Sequence, residues 1–129
     1  MLLLSSEVGW LLTLTVFLLT TSASFADGVL GTWLRDNGNV QVKFEPCGDA
    51  VCGNIAWLKP GSDSKAKVGQ RLFFDMRPAG ANSWIGKAAS LDDGSVYSGR
   101  MSIEGSTLST SGCIVGGLIC KSANWTRVS

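Results

Sequence analysis

Four cysteines, at positions 47, 52, 113 and 120, are the residues whose type and spacing most directly imply chemistry. An even number of cysteines in a chain that carries an export leader reads as a disulfide framework. Zinc held by all four is the alternative, but C-x4-C and C-x6-C are looser than the C-x2-C knuckles of zinc sites. A redox role would need a C-x-x-C spacing or a helix N-terminus to lower a thiol pKa, and the sequence offers neither. Of the possible connectivities, the spacing favours two local bridges, Cys47 to Cys52 and Cys113 to Cys120. A Gly116-Gly117 turn would pair Val115 with Leu118, Ile114 with Ile119 and Cys113 with Cys120, near enough for a bridge. That register makes the two cysteines a hydrogen-bonded pair, the class with the wider Cα separation.

The other catalytic residue types do not assemble. There is no histidine, which excludes histidine triads, histidine-ligated metals and histidine pH switches. Serines are plentiful, but there is no G-x-S-x-G elbow and no evident base. Asp92 and Asp93 precede Gly94 in a turn, where aspartate bonds its own backbone, and Glu104 ends a strand. An acid–base pair would need a buried cleft and a raised pKa. The chain therefore reads as non-enzymatic, with no cofactor. A formal net charge of +1 gives no electrostatic reason to bind nucleic acid or an anionic membrane surface.

Residues 1–26 read as a signal peptide. Val8 to Thr20 is apolar apart from threonines, and Ser24-Phe25-Ala26 fits a small-x-small cleavage site, although Glu7 stands where basic residues are usual. The run is shorter than the roughly 20 residues that span a bilayer, so export to the periplasm or beyond is expected, without a stable membrane anchor. Residues 27–129 then form a single domain.

Within that domain apolar residues recur with period two and turn signals arrive about every ten residues, the pattern of an all-β sandwich or barrel. Val29 to Arg35 is a first strand, followed by an Asn37-Gly38 hairpin signal. Val40, Val42 and Phe44 share one face of the second, which Pro46 ends. The third, Gly53 to Lys59, has Ile55 and Trp57 on one side and Ala56 and Leu58 on the other, so both faces should be covered. Residues 60–70 form the longest loop, either solvated or a lid over a barrel mouth. Leu72, Phe74 and Met76 face one way on the next strand. Trp84 marks the fifth, and Tyr97, Met101 and Ile103 share a face of the sixth. A Gly105-Ser106 turn leads to the last two, Thr107 to Cys113 and Ile119 to Val128. Eight short strands with mostly short turns are best closed into an antiparallel up-and-down barrel; Greek-key crossovers of a sandwich need longer connections. Such a barrel is either packed solid or holds one small ligand. If a cavity exists, Phe44, Trp57, Phe74, Trp84, Tyr97 and Met101 are the candidates to line it.

G-T-W at 31–33, C-G-D-A-V-C-G-N-I-A-W-L at 47–58, W-I-G-K-A at 84–88, D-G-S-V-Y-S-G at 93–99 and W-T-R-V at 125–128 resemble a secreted bacterial family, domain of unknown function 2147. That family is similar in fold to the lipocalins and their calycin relatives. The resemblance implies a lipocalin-like barrel closed by a basic side chain of the last strand crossing the first-strand tryptophan, here Arg127 over Trp33. It also implies a small, largely apolar ligand. An envelope-associated protein-interaction or inhibitor module is the alternative, using residues 60–70 or an outer face.

Overall fold

A computed structural model describes residues 28–62, 65–114, 116 and 118–129; the signal-peptide expectation and the Val115 and Gly117 pairings lie outside them. Eight strands form one closed antiparallel barrel in chain order: β1 (Gly31–Arg35), β2 (Val40–Cys47), β3 (Ala50–Leu58), β4 (Arg71–Pro78), β5 (Ser83–Ala89), β6 (Val96–Glu104), β7 (Thr107–Ile114) and β8 (Ile119–Arg127). The all-β, up-and-down expectation holds. Gly38, at φ 75°, takes the left-handed position that the β1–β2 turn requires.

The barrel closes along a short seam, with Trp33 opposite Arg127, Leu34 opposite Thr126 and Arg35 opposite Trp125. Beyond it Thr32 N donates to Ser129 O at 3.0 Å, and Asp36 N donates to Asn124 O at 2.8 Å. The guanidinium of Arg127 lies 4.3 Å from the Trp33 ring centroid. It also donates to the backbone carbonyls of Leu30, at 2.8 Å, and of Gly28. Trp33 is almost fully buried, and its indole N–H donates to Val29 O at 2.9 Å. The N-terminal approach, the first strand and the last strand are thus tied at one end.

Three local expectations need correction, each for a stated backbone reason. Pro46 does not end β2, because the strand runs on to Cys47 with Pro46 opposite Val51. The β1 ladder stops at Gly31 opposite Phe44, so β2 has no neighbour on that side for a proline to deprive. Trp57 does not share the inner face with Ile55. A bulge opposite Gln41 and Val42 leaves Ala56 unpaired and shifts the alternation by one residue. Ile55 is buried while Ala56 and Trp57 are exposed, Trp57 at 37%, so this end of β3 is not covered on both faces, although Ala50 to Gly53 are all buried. Phe74 likewise gives way to Phe73: register shifts on both sides of β4 send Leu72, Phe73 and Met76 into the core and leave Phe74 half-buried.

One glycine is required by the second irregularity. Asp75 sits at φ 51°, and a Cβ on Gly86 would lie 2.6 Å from the carbonyl oxygens of Phe74 and Asp75. Only a hydrogen fits beside the bulge.

Arg127→Ala removes the cover from the Trp33 ring and two donors from the N-terminal segment. It is expected to lower stability by about 1–2 kcal/mol, read as a fall of several degrees in melting temperature. An unchanged melting temperature would show that the seam closes without it.

Candidate functional site

The inward-facing residues fall into two sets by size. Towards the end that holds residues 28–30, 48–49, 79–82 and 105–106, the interior is filled by Trp33, Phe44, Met76, Trp84, Met101 and Leu108, all almost fully buried. Towards the other end the same strand faces present Val40, Ala88, Gly99, Thr110, Gly112 and Ala123. Bulky residues interdigitate and leave little void, whereas the smaller set cannot fill an eight-stranded barrel. The result is a cavity of ≈ 360 Å³ opening among the β1–β2, β3–β4 and β5–β6 connections.

Its apolar lining comes from Val40, Leu58, Leu72, Phe73, Ala88 and Trp125, interleaved with the polar side chains of Asn37, Asn39, Ser90, Ser111 and Ser122. Phe73 carries the floor, with ring centroids 5.2 Å from Phe44 and 6.2 Å from Trp125, the latter edge-on. Among the described residues Thr110 is the one buried polar side chain. It accepts a 2.9 Å hydrogen bond from the Trp125 indole N–H and keeps its own hydroxyl proton as a donor within the cavity wall. Tyr97 stands at the mouth beside Gly112, where an added Cβ would meet the Tyr97 Cβ at an ordinary contact distance of 3.5 Å.

Charge is confined to the rim. Arg35 and Lys121 line the opening, with Asp92 from the β5–β6 turn. Asp93, next to Asp92 and exposed, has its carboxyl held below the usual carboxylate range. The first cause is the 2.9 Å hydrogen bond donated by Ser95 N, and the Lys121 charge adds to it. That shift is opposite to what a general acid at neutral pH requires. Arg35 differs from every other charged group here. Its Nε is buried and has no hydrogen-bond partner among the described residues, a situation that costs about 1–3 kcal/mol for a polar group.

The six residues named from sequence as lining candidates therefore separate. Tyr97 lines the cavity. Phe44, Trp84 and Met101 pack the closed half. Trp57 and Phe74 do not face the cavity. Sequence reasoning missed Arg35, Phe73, Ala88 and Thr110. The period-two rule did carry a signal for Arg35, which stands two residues after Trp33 and so on the same inner face. None of the four cysteines lines the cavity. Cys47–Cys52 bridges the β2–β3 hairpin at the closed end, with Cα atoms 5.8 Å apart. Cys113–Cys120 joins directly opposed residues of β7 and β8 near the mouth, with Cα atoms 4.1 Å apart. This is the narrow spacing of a non-hydrogen-bonded pair rather than the wide one expected for a two-residue turn. At the C-terminal end of the β3–β4 connection, Gly69 N donates to Ile55 O and Ile55 N to Gln70 O, both at 2.8 Å. Ala66 packs into the core, and Ser62 reaches the cavity rim.

Comparison with known proteins agrees with this architecture. A family model described as an uncharacterised protein conserved in bacteria (DUF2147) matches residues 31–127. No curated protein matches the sequence. Among solved structures, protein HP1028 from the human pathogen Helicobacter pylori, described as belonging to the lipocalin family, is similar in fold. The TM-score is 0.64 at 18% sequence identity, covering 78% of this chain and 83% of that one.

Thr110→Val keeps the shape of the cavity wall but strands the Trp125 indole N–H. It is expected to destabilise the barrel by about 1–3 kcal/mol and to alter Trp125 emission. Chemical denaturation followed by tryptophan fluorescence measures both effects.

Proposed function

We propose that this chain, which belongs to the bacterial DUF2147 family, is an exported binding protein for a small, largely apolar ligand rather than an enzyme. The observation that carries this reading is the ≈ 360 Å³ cavity, lined by Leu72, Phe73, Ala88 and Trp125 together with a smaller polar share. A barrel interior not filled by its own side chains has the character of a ligand site, apolar with a few placed polar groups. The volume lies near the lower end of the ~300–1,000 Å³ usual for small-molecule pockets, which favours a single ring system or one short chain over bulky polycyclic ligands. The fold likeness to a lipocalin-family protein supports the same reading by analogy. Export is supported by two disulfides, which persist in oxidising compartments, and by the leader-like composition of residues 1–26.

A protein-interaction role rests on a different observation. Ile114, Leu118 and Ile119 form an exposed apolar tip on the β7–β8 hairpin, with Leu118 80% exposed. Such a tip would dock a partner at the mouth. A Leu118→Ser/Ile119→Ser variant should then lose a partner from a periplasmic extract while retaining small-ligand binding.

For the leading reading, 1-aminoanthracene, a neutral apolar fluorophore, should show saturable enhanced emission with the wild-type protein. Ala88→Phe places a ring in the cavity and should weaken that binding at least about tenfold, through overlap with the occupied space. Equal binding by wild type and Ala88→Phe would move the probe elsewhere on the protein and reject the cavity as the site.

A further inference from the structure

We infer that the ligand is a single-chain amphiphile bearing one carboxylate, anchored by the guanidinium of Arg35; the inference rests on the cavity being a ligand site. Alternation along β1 puts Arg35 on the inner face with Trp33, one step nearer the mouth, and directly opposite Trp125. Its Nε is buried and unpartnered. The two ion pairs among the described residues, Lys43 with Glu45 and Arg77 with Asp75, lie elsewhere on the barrel. A guanidinium stays protonated at any physiological pH, and a buried Nε–H with no acceptor is unfavourable. A ligand carboxylate set against this fork brings an acceptor to a side chain whose Nε has none among the described residues.

Arg127 shows what a purely structural arginine looks like in the same seam. Its guanidinium covers an indole and donates to two backbone carbonyls. Arg35 makes no comparable commitment at Nε, and it lines the cavity opening. The charges at the mouth balance: Lys121 lies within electrostatic reach of Asp93, and Asp92 adds a negative charge beside Arg35. The preference for an anion therefore comes from direct contact with the guanidinium rather than from the net field. A carboxylate matches the planar fork of a guanidinium in a bidentate pair. A doubly charged phosphate would bring a second negative charge beside Asp92. The tail would then lie along Leu72, Phe73 and Trp125, and a cavity of ≈ 360 Å³ limits it to one short chain.

Decanoate, 1-decanol and decylamine share a tail and differ in headgroup charge, so calorimetric titration of the three at neutral pH tests the inference on the wild-type protein alone. Decanoate should bind at least about tenfold tighter than 1-decanol, the lower range for a hydrogen bond to a charged group, and decylamine weakest. Arg35→Gln should abolish the preference for decanoate over 1-decanol, with the melting temperature reporting that the variant is folded. Equal binding of decanoate and 1-decanol by wild type would overturn the anchor while leaving the cavity as a ligand site. A preference that survives in Arg35→Gln would do the same. Failure of all three to bind would remove the ligand site itself, and the anchor with it.

Discussion

Everything in this barrel depends on the seam between its first and last strands. An eight-stranded sheet of this size is stable when no edge is left unpaired, and the seam that removes the edges is among its shortest ladders. Arg127 compensates by acting across it. Its guanidinium binds the face of the β1 tryptophan and the carbonyls of the segment that leads into β1. The contact shields the indole from water and fixes the angle at which the chain enters the barrel. The same seam continues upward to Arg35 and Trp125, where the packing changes character. One strand pair therefore holds the lower end shut and supplies the upper end with its most distinctive polar group.

The two halves differ because of residue size rather than strand geometry. Trp33, Trp84, Phe44, Met76 and Met101 interlock below, and alanine, glycine, threonine and valine occupy the equivalent inner positions above. Bulges refine this division. The one opposite Gln41 and Val42 turns Trp57 outward, and those on β4 bring Phe73 under the cavity in place of Phe74. Gly86 permits the second by leaving space for the carbonyls that the irregularity pushes inward. A filled lower half thus supports a cavity whose walls combine short side chains with Phe73, Tyr97 and Trp125. Such walls constrain ligand size more than ligand shape.

The architecture was legible in the sequence. Period-two alternation, the Asn37-Gly38 and Gly105-Ser106 turns and the G-T-W and W-T-R ends define an eight-strand barrel without reference to coordinates. The interior of the site was much less so. An inserted residue reverses which side chains face inward beyond it, and nothing in the composition of β3 or β4 announces the insertion. Trp57 and Phe74 were placed inside on an unbroken alternation that the backbone does not keep. Large aromatics also drew attention towards the half they fill, whereas a cavity is marked by what is small. Arg35 could have been found by counting two residues on from Trp33, since β1 has no bulge before it.

The central claim is that the upper half of the barrel is a ligand site and the lower half is not. Backbone amide chemical shifts, followed by NMR as decanoate is added, test it most directly. The account predicts perturbations confined to Arg35, Val40, Phe73, Ala88, Thr110, Ala123 and Trp125, with Met76, Trp84 and Leu108 unmoved. Shifts clustered on the outer face around Trp57 or Ile119, or no shifts at all, would contradict it.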